Sequence, residues 1–312
     1  MKKLSFVIPC YGSEHTIEAV VDSIRETVAT RADAYHYEIV LVCDASPDNV
    51  WSVIGKLCAE DAHVKGVLHA KNFGQHAAIL TGFRHVSGDI VVCLDDDGQT
   101  PPAECFTLVD ALESRDDDVV FAKYPKKKHS FFRNFGSKVN DFMTCKLLDK
   151  PRDLAIMSYF CCKRFIVDEV IRYNNPYPYI DGLLLRATKR ISNVDVPHYE
   201  RACGSSGYTL SKLLALWFNG FTAFSVKPLR IATVIGALCA GSGLLYGLYI
   251  ILGQLFFSLD APMGYSSLMA MLVFLGGMVL LMLGLIGEYI GRIYISLNNS
   301  PQAVVRERLN ME

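Results

Sequence analysis

The sequence predicts an α/β domain with a mostly parallel sheet, followed by two membrane-spanning helices. Three observations carry that expectation. Short apolar runs rich in β-branched residues alternate with helix-period segments through residues 4–94. Three consecutive carboxylates, Asp95-Asp96-Asp97, follow one of those runs directly, at the strand end where open α/β sheets bind ligands. Two long apolar stretches without a charged residue lie near the C-terminal end.

Leu4–Pro9 reads as the first strand. From Glu14 to about Thr30, Ile17, Val20, Val21, Ile24 and Val28 recur at helical spacing. Tyr37–Val42 is a second strand ending at Asp44, and Trp51–Ala59 is helical. Val64–His69 is a third strand, Gln75–Val86 a helix and Ile90–Leu94 a fourth strand. Strands alternating with helices at this spacing form parallel sheets with right-handed crossovers. Asp44 and Asp95–Asp97 then share the ligand-binding edge of the sheet. No GxGxxG run follows the first strand, which argues against a dinucleotide cofactor.

A net charge of −1 makes nucleic acid a poor partner. The 10 cysteines contain no CxxC pair and no metal-ligand spacing. They suit a reducing, cytosolic compartment. The N-terminal apolar run is too short for a signal peptide. Mean hydropathy is +0.24, and the apolar excess sits towards the C-terminus.

Three like charges at one strand end disfavour folding unless something positive joins them. A hard divalent cation shared with a nucleotide phosphate meets that need, since such cations take oxygen ligands. Lys123, Lys126, Lys127, Lys128, His129, Arg133 and Lys138 form a basic stretch. It reads as a solvated loop or as a cationic rim facing an anionic acceptor.

Between Thr209 and Phe224, Leu210, Leu213, Leu214, Trp217, Phe218, Phe221 and Phe224 line one helical face. That segment leads straight into Ile231–Phe257, so a helix lying in the membrane interface is the expectation. Ile231–Phe257 and Ser267–Ile286 are each long enough to span a bilayer. Lys227 and Arg230 precede the first span, and Arg292, Arg306 and Arg308 follow the second. The positive-inside rule then puts both ends in the cytoplasm. Gly243–Gly247 and Gly287–Gly291 have GxxxG spacing, which allows close helix contact and points to a homo-oligomer.

Several motifs now match one family. Val7-Ile8-Pro9-Cys10-Tyr11-Gly12-Ser13-Glu14 is similar to "V(I)PxYNEE", and Val42-Cys43-Asp44-Ala45-Ser46-Pro47-Asp48 to "VDDGSxD". Asn72-Phe73-Gly74-Gln75 with Ala77, Ala78 and Gly82 resembles "NFGQxxAxxxG". Asp95–Pro102 resembles "DADLQDPP", and Arg201–Tyr208 resembles "RxxGxSKY". Phe224-Ser225, Pro228–Arg230 and Gly287–Tyr294 look like the elements flanking two spans. Over nearly its whole length the chain resembles membrane-anchored family 2 glycosyltransferases that make polyprenyl-phosphate sugars, the dolichyl-phosphate mannose synthase and GtrB/ArnC-like group.

The resemblance implies a GT-A catalytic domain at 1–208, an interfacial helix at 209–230, a transmembrane hairpin at 231–291 and a cytoplasmic tail at 292–312. It implies inverting transfer of one sugar from a nucleotide sugar, most often a UDP-hexose, to a polyprenyl phosphate in a bacterial inner membrane. Pro9, Tyr11, Glu14, Asp44, Lys71, Asp95 and Gln99 would bind the nucleotide sugar, with Asp44 accepting from the base. Asp97, with Asp95, would hold Mg²⁺ or Mn²⁺. Asp96 replaces a small family residue and would be a spectator or an extra metal contact. Lys123, Arg133, Ser137 and Arg201 would bind the lipid phosphate. Asp153 would act as base or sugar-orienting group, with Asp181 the alternative. Departures fall at Cys43, where the family has aspartate, at Gly207, where it has lysine, and at Gly12-Ser13. A processive synthase is disfavoured because no QxxRW motif is present. A catalytically silent membrane scaffold or lipid-binding protein of the same fold is the competing class, and the intact acids weigh against it.

Overall fold

The computed structural model describes residues 1–124, 150–151, 153–175, 178–197, 265–297 and 301–311, with isolated helical positions between 234 and 256. The expected interfacial helix, most of the first span, Arg133, Ser137 and Arg201 lie outside the described residues. The chain divides into two compact units, Met1–Leu213 with Asn299–Glu312, and Leu214–Asn298.

The first unit is built on an eight-stranded sheet. In chain order its elements are β1 (Lys2–Cys10), α1 (Ile17–Ala29), β2 (Tyr35–Cys43), α2 (Val50–Glu60), β3 (Val64–His69), α3 (Gln75–Phe83) and β4 (Ile90–Cys93). A single 3₁₀ turn at Pro102–Glu104 leads into α4 (Cys105–Ser114) and β5 (Val119–Lys123). Then come β6 (Phe160–Lys163), α5 (Arg164–Val170), α6 (Ile180–Ala187), β7 (Ile191–Asp195) and β8 (Val305–Leu309). The strand order is β7-β5-β6-β4-β1-β2-β3-β8. β1, β2, β3 and β4 run parallel, as the alternation predicts, and β5 runs parallel to β7. β6 is antiparallel to β4 and β5, and β8 is antiparallel to β3.

Central strands covered on both faces must be apolar throughout. Leu4 to Cys10 and Ile39 to Cys43 are accordingly buried, as are the inward helix positions Ile17, Val21, Ile24, Ile54 and Leu57. Helix α3 lies so close to β1 that a Cβ on Gly82 would stand 2.4 Å from Val7 Cγ1. Only glycine fits that contact without displacing the helix.

One buried charge sits inside this sheet. Glu38 accepts hydrogen bonds from Ser5 Oγ and the Ser87 N–H, both at 2.5 Å, and pairs with Lys3 and Lys65, both at 2.9 Å. Burial opposes its ionisation, but Ser5, Lys3, Ser87 and Lys65 together outweigh it and hold the carboxyl down to about 2.

The tail reading at 292–312 needs one addition. Val305–Leu309 is an edge strand of the eight-stranded sheet, beside β3. Its sequence, Val-Arg-Glu-Arg-Leu, is short and charged and carried no strand signal, yet charged edge strands are a common guard against aggregation. The second unit contributes α7 (Tyr265–Leu297), whose window Phe274–Gly291 has mean hydropathy 1.8, with none of its described side chains buried. Leu272, Phe274, Val279, Leu280, Leu283 and Ile290 are all exposed. By length and composition this helix is able to cross a membrane.

Candidate active site

The carboxyl ends of β1, β2, β3 and β4 meet at one edge, and each loop there is tied to its neighbour. After β1, Gly12 adopts φ +73, a left-handed conformation in which a side chain is strained. Its N–H donates to Ser46 Oγ at 2.8 Å, and Ser46 Oγ donates to Asp48 Oδ1 at 2.5 Å. The Glu14 N–H donates to Asp48 Oδ2 at 2.9 Å, and the Asn49 N–H donates to Glu14 Oε2 at 2.9 Å. The Gly12 departure therefore suits the turn it occupies.

Asp44 is buried at the end of β2. Oδ1 accepts from His69 Nδ1 and the Phe73 N–H, both at 2.8 Å, and Oδ2 accepts from the Gly74 N–H at 2.7 Å. Its partner His69 is also buried, with Nε2 2.9 Å from Thr81 Oγ1. A carboxylate facing Nδ1 places a proton on that nitrogen. In this arrangement Asp44 anchors the Lys71–Gly74 loop that leads into α3. Lys71 is exposed at the loop's start, with its ammonium 5.1 Å from the Phe73 ring centre.

The three aspartates part company. Asp95 Oδ1 accepts from Gln75 Nε2 at 3.0 Å, and Oδ2 accepts from the Ser158 hydroxyl. Asp97 Oδ1 accepts the Gln99 N–H at 3.0 Å, closing a turn that Gly98 permits at φ +74. Asp96 turns away. Its Oδ2 accepts the Tyr11 N–H at 2.9 Å, and its carbonyl accepts from Thr16 Oγ1 at 2.6 Å. Burial raises the Asp96 carboxyl, and the neighbouring Asp97 charge adds to the rise. Asp96 thus clasps the loop after β4 to the segment after β1. Burial also raises the Tyr124 phenol, which lies near enough to Asp95 and Asp97 for their charge to add to the effect.

Asp181 opens α6, and its charge acts on Cys93 at the end of β4. Burial raises its carboxyl, opposed by His76 and by the Tyr179 hydroxyl. His76 sits against Tyr179 with ring centres 5.0 Å apart, and its Nδ1 accepts the Ile180 N–H at 3.4 Å. Asp153, by contrast, is exposed on a turn. The stretch after it is held by Asn193, whose Oδ1 accepts the Ala155 N–H at 2.8 Å while Nδ2 donates to the Ala155 carbonyl at 2.7 Å. Lys123 ends β5, exposed and aligned with Asp195. Pro9 is buried near the end of β1, and Tyr11 is exposed beyond it.

Sequence reasoning missed Ser158, Asn193 and His69. Ser158 and Asn193 carry no local signal, because their partners lie 63 and 38 residues away. Gln75 closes the "NFGQ" match and His76 follows it, but nothing in the sequence says which acid they approach.

Among the described residues no three His, Cys, Asp or Glu side chains gather into a complete metal cage. The donor set here is instead a pair of hard carboxylates at one loop, which fits a divalent cation that takes its other ligands from a diphosphate.

An open, mostly parallel α/β sheet with acids, a glycine turn and an anchored helix start at its carboxyl edge is the arrangement of the GT-A fold. Solved glucosyl-3-phosphoglycerate synthase from Mycobacterium tuberculosis shares the fold. Its complex with Mn²⁺, UDP and phosphoglyceric acid aligns at TM-score 0.52 and 19% identity, over 70% of this chain and 75% of that one. Residues 5–172 match the glycosyl transferase family 2 model, and residues 227–293 match the GtrB C-terminal hairpin. The chain belongs to glycosyl transferase family 2 and is a glycosyltransferase. It is 33% identical to the undecaprenyl-phosphate 4-deoxy-4-formamido-L-arabinose transferase of Shewanella sediminis (strain HAW-EB3), over 98% of this chain and 92% of that protein. To the enzyme of the same name from Yersinia pestis (strain Pestoides F) it is 32% identical, over 100% of this chain and 95% of that protein.

Proposed function

We infer that the protein transfers one sugar, with inversion, from a nucleotide sugar to a polyprenyl phosphate at the cytoplasmic face of a bacterial membrane. The observation that carries this reading is the Asp95–Asp97 loop, knitted by Asp96 to the β1 loop and by Gln75 to the start of α3. A UDP-sugar suits the site. Hexoses and the 4-deoxy-4-formamido-L-arabinose named for the relatives are the sugars to try first.

Asp97, with Asp95, would hold Mg²⁺ or Mn²⁺. When bound, such an ion supplies Lewis acidity and charge neutralisation to the departing diphosphate. The chain's own residues do the rest. The Lys71–Gly74 loop, set by Asp44, and the β1 loop, set by Asp96, form the donor wall. Ser158 and Gln75 orient Asp95. The acceptor is a phosphate oxygen, already anionic near neutral pH, so a strong general base is less necessary than for a hydroxyl. Asp181 stands better than Asp153 to orient the sugar, because its helix starts at Ile180, bonded to His76, the neighbour of the Gln75 that holds Asp95. Lys123, Arg133, Ser137 and Arg201 are proposed for the acceptor phosphate, where guanidinium groups bind two oxygens at once.

Two membrane spans are supported by continuity of the chain. β8 belongs to the catalytic sheet, so the polypeptide that leaves the first unit after Leu213 rejoins it by Val305. A chain that starts and finishes on one side crosses an even number of times. The match to the GtrB hairpin over 227–293 agrees with a pair of spans.

A donor screen tests the reading. The purified protein, undecaprenyl phosphate, Mg²⁺ or Mn²⁺ and a panel of UDP-hexoses and UDP-4-deoxy-4-formamido-L-arabinose should yield one lipid-linked sugar. Formation of glycan chains, or transfer only to a water-soluble acceptor, would overturn it.

A further inference from the structure

We propose that residues 301–310 form a strap that positions the Lys71–Gly74 loop, making the C-terminal segment a working part of the donor site. The proposal rests on the donor wall argued above. β3 ends at His69, which pairs with Val305. One residue further on, the Ala70 N–H donates to the Val304 carbonyl at 2.8 Å. Strap pairing therefore runs past the strand and reaches the residue before the loop. The same His69 whose backbone the strap holds carries the side chain that bonds Asp44, and Asp44 in turn takes the Phe73 and Gly74 N–H groups. Backbone and side chain of one residue thus link the strap to the loop from both sides.

The strap is clamped at each end. Gln302 Nε2 donates to the Tyr173 and Asn175 carbonyls at 2.7 and 2.6 Å, and its Oε1 accepts from Arg84 Nη2 at 2.5 Å. Arg84 directly follows α3, the helix that the loop enters. Asn310 Nδ2 donates to the carbonyls of Cys58, Val64 and Asp61 at 2.6, 2.8 and 3.3 Å. Its φ of +57 is a left-handed conformation that asparagine tolerates. Between the clamps, a Cβ on Gly66 would stand 3.3 Å from Leu309 Cδ1, so the strap also lies close over β3. Covering an edge strand requires only pairing along its length. Pairing that continues into a ligand loop, with side-chain clamps at both ends, does more than cover.

The test uses the full-length protein carrying Asn310→Asp and Gln302→Ala. Aspartate keeps the size and the left-handed tolerance but turns a carboxylate towards three carbonyl oxygens, and Gln302→Ala removes the other clamp. Amide exchange at Ala70 and across Lys71–Gly74 should accelerate, by about tenfold or more. KM for the nucleotide sugar should rise about three- to tenfold. The kcat and the KM for the lipid phosphate should stay within about twofold, a split that general destabilisation does not produce. Faster exchange with unchanged donor KM would reduce the strap to an edge cover, and unchanged exchange would show that the clamps hold nothing. Exchange needs no nucleotide. If the unaltered protein transfers no sugar, the proposed function fails, and exchange across Lys71–Gly74 still decides whether the strap positions the loop.

Discussion

Asp44→Asn separates a loop anchor from a base contact. The wild-type carboxylate takes His69 Nδ1–H and the Phe73 N–H on Oδ1, and the Gly74 N–H on Oδ2. Asparagine has one acceptor oxygen and one amide group that only donates. Placed with its oxygen towards His69 and Phe73, it turns its NH₂ against the Gly74 N–H. Flipped, it opposes the other two donors. Either way at least one donor loses its partner, at about 1–3 kcal/mol, and the bonds that remain lose charge assistance. The sum is about 2–4 kcal/mol, which for a domain of this size lowers Tm by on the order of 5–10 °C. The assay is thermal unfolding of the full-length protein in detergent without any nucleotide, followed by donor KM. The reasoning predicts a loss of stability before donor is added. If the ligand-free variant melts with the wild type and only donor KM changes, Asp44 contacts the nucleotide and the anchor account is wrong.

Glu38→Gln should remove a pH-dependent share of stability. The folded carboxyl lies near 2 against 4.5 for the unreacted group, so its contribution is present above pH 4.5 and is lost as pH falls through 2. At neutral pH that share is about 3 kcal/mol, and the Tm difference between wild type and variant should shrink steadily from pH 5 towards pH 2. Asp97→Ala should abolish metal-dependent transfer while lowering Tm without metal by no more than about 5 °C, because losing a hydrogen bond such as that from the Gln99 N–H costs about 1 kcal/mol. Asp96→Asn should leave the apparent metal affinity within about threefold, because its carboxylate is committed to the Tyr11 N–H, and should raise donor KM about three- to tenfold. A tenfold or greater drop in metal affinity would return Asp96 to the metal.

The local signals proved enough for the first half of the sheet. Val64–His69 was read with its observed limits, and the strands on either side of it differ only at their ends, because fully buried parallel strands announce themselves as apolar runs. The later strands were not legible. Phe160–Lys163 and Val119–Lys123 pair with partners far away in sequence, and short antiparallel insertions carry no periodicity of their own. In the site, the positions of Asp44 and Asp95–Asp97 at strand ends followed from the alternation alone. Their duties did not.

What the amino-acid sequence determined by itself was the class: a parallel α/β sheet with acids at its carboxyl edge, joined to apolar segments of bilayer length. These properties reside in local composition and spacing. What only the tertiary structure decided was the division of labour. Asp44 holds a loop, Asp96 clasps two loops, and Asp95 is met by Ser158 from a distant turn. The charged tail closes the sheet at β3. A carboxylate's role depends on which donors surround it, and those donors come from segments that meet only when the chain is folded.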